Sequence, residues 1–178
     1  MPDTLPPVLI SERAIARKVG TLAAELSRAY AGIDDLLLVG VLKGAFIFLA
    51  DLSRRLTIPR RVDFIALSTY QDATTTTGAV RLIMDLRTDI RDRHVLVVED
   101  IVDTGHTLAY LLKTLAAREP ASLATCALLR KLDRREVDVR IDYLGFDIPD
   151  VWVVGYGLDW ADRYRTLPYI GVISPPAG

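Results

Sequence analysis

Asparagine is absent from this 178-residue chain, cysteine occurs once, and only four lysines stand against eighteen arginines. A single cysteine, Cys126, excludes an internal disulfide, and its apolar setting, SLATCALLR, predicts a buried and inert thiol. Neither sign of charge is in excess, since 22 basic residues face 23 acidic ones for a net charge of −1. That balance argues against a nucleic-acid partner held by a broad electropositive face. The first residues, MPDTLPPVLISERA, lack the basic-then-apolar order of a secretory signal. The longest apolar stretch, LLLVGVLKGAFIFLA, is interrupted by Lys43 and falls short of the roughly 20 residues that span a bilayer. These absences predict a cytoplasmic protein with no membrane or nucleic-acid partner. The shortage of asparagine and lysine reads as genomic bias, but it makes each lysine worth locating.

What is present is an ordinary globular composition, 51% hydrophobic and 25% charged, in a length that suits one domain with a substantial core. Ser11 can cap a helix running to about Tyr30, with Ile15, Val19, Leu22 and Leu26 on one face. A strand, LLLVGV, follows Asp34-Asp35, and LKGAF turns into a second helix ending near Arg55. RVDFIALS and VRLIMDL read as a hairpin whose long loop is the polar, Thr-rich stretch 69–79. RHVLVVE is the next strand, then helix HTLAYLLKTLAAR, strand ASLATCALL, the short strands IDYLGF and VWVVGY, and a last strand at YIGVIS. The alternation predicts an α/β fold with a mainly parallel central sheet flanked by helices. The N-terminal helix and the irregular part after residue 130 are expected to fold over that sheet as a small hood.

The sharpest pattern is HVLVVEDIVDTGHTL, residues 94–108. A buried strand is predicted to end on adjacent acids, Glu99 and Asp100, with Asp103-Thr104-Gly105-His106-Thr107 opening a helix. In open α/β sheets, ligands sit beyond the carboxyl ends of the strands. Gly105 lets the backbone approach an oxyanion, Thr104 and Thr107 add hydroxyl donors, and the positive end of the helix points at the same spot. Acids beside a phosphate pocket would repel the ligand unless a divalent cation or sugar hydroxyls intervene. A sugar phosphate satisfies both halves of the pattern. The bland alternative is a helix cap by Asp103 or Thr104 with solvated acids.

VLVVEDIVDTGHTL resembles the phosphoribosyl-diphosphate signature of the type I phosphoribosyltransferases, with His106 a modest departure at a position where backbone amides do the binding. The resemblance implies that fold, a Mg2+ cofactor, and a phosphoribosyl-diphosphate site built from Lys43, Gly44, Glu99, Asp100, Asp103, Thr104, Gly105, His106, Thr107 and Arg165. Lys43-Gly44, in GVLKGAF, is similar to the family's pyrophosphate loop, which often carries a non-proline cis peptide, here Leu42-Lys43. Residues 128–165 resemble the hypoxanthine-guanine branch nearly throughout, and GFDIPDVWVVGYGLD selects that branch. By this resemblance Lys131 donates to a purine 6-oxo group, Trp152 stacks on the base, and Val153 reads its edge through the backbone. Asp159 borders the purine site and joins Glu99 and Asp100 as candidate metal ligands. TYQDATTTTG is similar to the mobile lid, with Thr69-Tyr70 replacing the usual Ser-Tyr pair. Asp103 is the implied catalytic base, taking a proton from purine N7.

The implied activity is transfer of 5-phosphoribosyl from its 1-diphosphate to N9 of hypoxanthine or guanine, in a homodimer or homotetramer. A xanthine-preferring or broad 6-oxopurine enzyme is the nearest alternative. An RNA-binding regulator on the same fold is disfavoured by the balanced charge. A phosphoacceptor receiver domain would need its acids nearer the N-terminus.

Overall fold

The computed structural model describes residues 5–70 and 79–174, with no account of the side chains of 69, 70 and 79. Nine strands and three helices alternate along those residues: β1 (Val8–Ile10), α1 (Glu12–Ala29), β2 (Leu36–Leu42), α2 (Phe46–Arg55), β3 (Arg60–Tyr70), β4 (Ala79–Met84), β5 (His94–Val102), α3 (His106–Ala116), β6 (Ser122–Lys131), β7 (Tyr143–Ile148), β8 (Trp152–Val154) and β9 (Ile170–Ile173). Six strands form the main sheet in the order β4-β3-β2-β5-β6-β7. All its pairings are parallel except β3 with β4, the predicted hairpin.

The central strands are apolar on both faces because helices cover both. Leu36 and Leu38 of β2, with Leu96 and Val98 of β5, join the core under α1 and α2. Their neighbours Leu37, Val39, Val95 and Val97 join Leu108, Leu111 and Leu115 of α3 on the opposite face. The period-2 alternation of strand side chains divides one apolar run between two cores. Helix α1 buries Ile15, Val19, Leu22, Ala23 and Leu26, and Ser11 Oγ caps it by accepting from Ala14 N at 3.3 Å. Cys126 is fully buried, and burial pushes its thiol pKa up. Among the described residues, no helix is long and apolar enough to cross a membrane.

Three sequence expectations need correction. Strand β5 does not end at Glu99-Asp100: Ile101 and Val102 still pair with Leu129 and Arg130 of β6, because β6 is long enough to carry the ladder onward. The hood is smaller than expected and is a three-stranded sheet, β1-β9-β8. Helix α1 instead packs against α2 and β7, and β7 is the edge strand of the main sheet. Strand β1 was not anticipated. It is three residues long and follows Pro6-Pro7, so neither length nor periodicity announced it. Most of the lid stretch, residues 71–78, lies outside the described residues, while the backbone of Thr69 and Tyr70 forms the end of β3.

Candidate active site

At the carboxyl ends of β2 and β5 lies a cavity of about 460 Å³. Gly44, Ser68, Glu99, Asp100 and Asp159 line it together with the loop from Asp103 to Gly105 and Thr107. Gly105 is the N-cap of α3 with φ +92°, and no side chain caps the helix. The capping alternative for Asp103 and Thr104 therefore fails. The first-turn N–H groups of α3 have no acceptor within the helix and carry its positive end toward the loop. Glycine is required at 105 also for space, since a Cβ there would stand 2.7 Å from Val137 O. The segment after β6 holds the loop from behind, with Glu136 N and Val137 N both donating to Thr104 O at 3.0 Å. His106 points its ring outward to Glu136, at 2.9 Å, and contributes to the loop through its backbone.

Among the described residues, three buried side-chain oxygens have no hydrogen-bond partner: Ser68 Oγ, Glu99 Oε2 and Asp103 Oδ1. All three residues line this one cavity. Buried polar groups are normally satisfied, and each exception costs about 1–3 kcal/mol, so three together mark a place awaiting a polar ligand. Burial, reinforced by the charge of Asp100, pushes the Glu99 carboxyl well above the usual carboxylate range. Burial also raises Asp100, against its hydrogen bonds and the opposing pull of Arg165. An acid whose folded pKa is raised stabilises the fold fully below its unfolded pKa and loses that contribution as pH rises through the folded one. Glu99→Gln should therefore stabilise the free protein by about 1–3 kcal/mol at neutral to alkaline pH. The gain should shrink as pH falls toward the ordinary glutamate value. Thermal melts at both ends of that range check it, and equal shifts at both would contradict it.

Lys43 and Gly44 follow β2, and the Leu42-Lys43 peptide is cis, at the bond named from the sequence. Gly44 packs so closely under the acids that a Cβ would lie 1.7 Å from Asp100 Oδ2. Gly157, with φ +106°, touches the other side of this loop, where its Cβ would meet Gly44 O at 2.0 Å. Arg165 reaches the same place, donating to Gly157 O at 2.9 Å and pairing with Asp159 and Asp162, each at 2.8 Å.

Beside the cavity, Lys131 is buried, with Nζ 3.2 Å from Asp150 Oδ1, 4.0 Å from Asp103 Oδ2 and 5.9 Å from the centre of the Trp152 ring. Arg134 completes a ring of charges, 3.2 Å from Asp103 Oδ1 and 3.9 Å from Asp150. The Arg134–Asp103 contact is an ion pair without hydrogen-bond geometry, which is why Asp103 Oδ1 still lacks a partner. Trp152 meets Trp160 edge-on, with ring centres 5.4 Å apart, and is 56% exposed, which leaves it free to stack on a planar ring. Val153 is buried beside it in β8.

The structure thus gathers Glu99, Asp100, the loop 103–107, Gly44 and Asp159 around one cavity, with Lys131 and Trp152 beside it. Lys43 and Arg165 adjoin through Gly44 and Gly157. Sequence reading missed Ser68, Arg134, Asp150, Gly157 and Asp162. Of these only Gly157 carried a local signal, GYG, which is too short to be specific by itself.

The described residues hold no cluster of three or more side chains arranged as metal ligands, so Glu99, Asp100 and Asp159 are not assembled as a three-carboxylate cage. Magnesium, however, typically takes one or two carboxylates and completes its shell with water and substrate phosphates. The orphaned Glu99 oxygen and the hard-oxygen character of all three acids fit that mode.

Residues 9–160 match the Phosphoribosyl transferase domain family. The chain belongs to the phosphoribosyltransferase family. It is 46% identical over 167 residues to the hypoxanthine phosphoribosyltransferase of Salmonella typhimurium, covering 93% of this chain and 94% of that one. It is also 46% identical, over 179 residues, to the hypoxanthine-guanine phosphoribosyltransferase of Mycobacterium avium, covering 98% and 88% of the two chains. Its fold is similar to the crystal structure of a hypoxanthine-guanine phosphoribosyltransferase from Bacillus anthracis. The TM-score there is 0.90 at 42% identity, over 96% of this chain and 100% of that one. The type I phosphoribosyltransferase fold expected from the sequence is the one observed.

Proposed function

We propose that this phosphoribosyltransferase is a purine-salvage enzyme that joins 5-phosphoribosyl 1-diphosphate to N9 of hypoxanthine or guanine, giving the nucleoside monophosphate and diphosphate. The convergence on one cavity of all three buried oxygens that lack a hydrogen bond carries the reading. A phosphoribosyl group supplies what that cavity lacks: hydroxyl donors for the acids and phosphate acceptors for the helix N-terminus.

In this reading the N–H groups of Thr104 to Thr107 hold the 5′-phosphate, with the Thr hydroxyls beside them. Glu99 and Asp100 accept from the ribose hydroxyls. Lys43, the Gly44 backbone and Arg165 take the diphosphate. Glu99, Asp100 and Asp159 would hold Mg2+, mainly through water, and the ion when bound supplies charge neutralisation on the leaving group. The C1–O bond breaks with its electron pair going to diphosphate, N9 forms the new bond to C1, and the N7 proton passes to Asp103. Lys131 donates to the 6-oxo oxygen, a choice that disfavours adenine, whose 6-amino group is itself a donor. Trp152 stacks on the base, and the Val153 backbone meets its edge. The Thr69-Tyr70 lid would exclude water from the charged transition state.

The whole chain then acts as one phosphoribosyltransferase domain in the cytoplasm, as a homodimer or homotetramer. The near-complete coverage of the relatives supports the first part of that reading.

A spectrophotometric assay with 5-phosphoribosyl 1-diphosphate, magnesium and each purine in turn tests the proposal. Turnover of hypoxanthine or guanine with none of adenine is expected. Adenine as the preferred base, or no turnover of any purine, would overturn it.

A further inference from the structure

The two cations assigned to the diphosphate already have an anion between them. Lys43 Nζ donates to both oxygens of Asp162, at 3.0 and 3.2 Å. Arg165 donates to Asp162 Oδ1 through Nη2 at 2.8 Å and Nε at 3.2 Å. One carboxylate therefore bridges a lysine and an arginine that lie on opposite sides of the Gly44–Gly157 contact. The two cations depend on it unequally. Arg165 is also held by Gly157 O at 2.9 Å and by Asp159 at 2.8 Å. Lys43, among the described residues, has Asp162 as its sole partner.

The turn that presents this carboxylate is an unusual one. Ala161, Asp162 and Tyr164 have φ of +50°, +62° and +71°, a left-handed conformation that residues other than glycine adopt at a cost. Asp162 N donates to Asp159 Oδ2 at 2.7 Å, and Trp160 and Arg163 close the turn through paired backbone hydrogen bonds. Asp162 buries nothing by sitting there, since its side chain is 63% exposed. Among the described residues, its carboxylate has only the two cations as partners.

We propose that Asp162 is an internal counter-anion, which occupies the diphosphate-binding cations of the free enzyme and sets its affinity for diphosphate groups by competing with them. This rests on the function proposed above. A diphosphate brings more charge and more acceptor oxygens than one carboxylate, so it displaces Asp162, whose side chain swings into solvent without losing packing. The competition weakens the diphosphate ester and free diphosphate alike, which favours product release. It leaves the purine side of the site untouched.

Asp162→Asn tests this with little threat to the fold, because asparagine is among the residues that best tolerate a positive φ. The Michaelis constant for 5-phosphoribosyl 1-diphosphate and the inhibition constant for diphosphate should both fall, by about threefold to tenfold, the worth of two exposed ion pairs. The hypoxanthine Michaelis constant should stay as in the parent. The difference should narrow in high salt, where exposed pairs are screened. Calorimetric titration with inorganic diphosphate and magnesium reads the same shift without turnover, so a poorly active variant still decides the matter. Diphosphate affinity that is unchanged or weaker in the variant would overturn the proposal and reduce Asp162 to an orienting group for Arg165. Failure of the parent enzyme to make nucleotide from any purine, with diphosphate binding and its shift intact, would instead overturn the assigned reaction.

Discussion

Asp103→Asn is expected to lower kcat by about 100-fold or more, with a much smaller change in the Michaelis constant for either substrate. The carboxylate lies just past β5, lines the cavity, and keeps one buried oxygen without a hydrogen-bond partner. Asparagine preserves the size of the group and one carbonyl oxygen, so the pocket keeps its shape, but the amide cannot take the purine proton. The variant also loses an anion from the charge ring with Lys131 and Arg134. A simple structural reading of Asp103 would predict a lower melting temperature with turnover intact. Steady-state kinetics and a thermal melt on the same preparation separate the two. Unchanged kcat would remove Asp103 from the chemistry.

The second large effect is at Gly157, where alanine should cost more than about 2 kcal/mol of stability and lower kcat/KM for phosphoribosyl diphosphate more than about tenfold. Its φ of +106° lies where side chains are rarely tolerated, and a Cβ would stand 2.0 Å from the carbonyl oxygen of Gly44. That neighbour is backbone, so it cannot rotate aside. Relief requires the hood turn or the loop at Gly44 to move, and displacements of about 1 Å near reacting groups can cost on the order of 100-fold. Gly20, in α1, is the control. A Cβ there meets nothing within 4 Å, so Gly20→Ala should leave activity alone and stabilise by roughly 0.5–1 kcal/mol. Similar melts and kinetics for both variants would show that the Gly157–Gly44 contact has no special weight.

Where the chain carries periodicity or a dense motif, the fold and site could be read directly. Ile15, Val19, Leu22 and Leu26 announced α1, and the apolar run of β2 announced a strand. Glu99, Asp100 and the loop 103–107 fell around one cavity because they are local in sequence and their spacing is itself the geometry. What escaped was short or distant. Strand β1 has three residues and gains its pairing only from β9, more than 150 residues later. The acids looked like a strand terminus because charged residues usually leave a buried strand, yet β6 carries the ladder past them. Arg134, Asp150 and Asp162 are ordinary charges in a charged chain, and only folding brings them against Asp103, Lys131 and Lys43. Gly157 is one of eleven glycines, and only folding sets its backbone against Gly44.

The most direct measurement is a crystal structure of the protein with a 6-oxopurine nucleoside 5′-monophosphate. The phosphate should lie at the N-terminus of α3, held by the backbone of Thr104 to Thr107, with both ribose hydroxyls donating to Glu99 and Asp100 and the base between Trp152 and Lys131. A nucleotide bound elsewhere, or one whose sugar leaves the Glu99 oxygen unpartnered, would contradict the account.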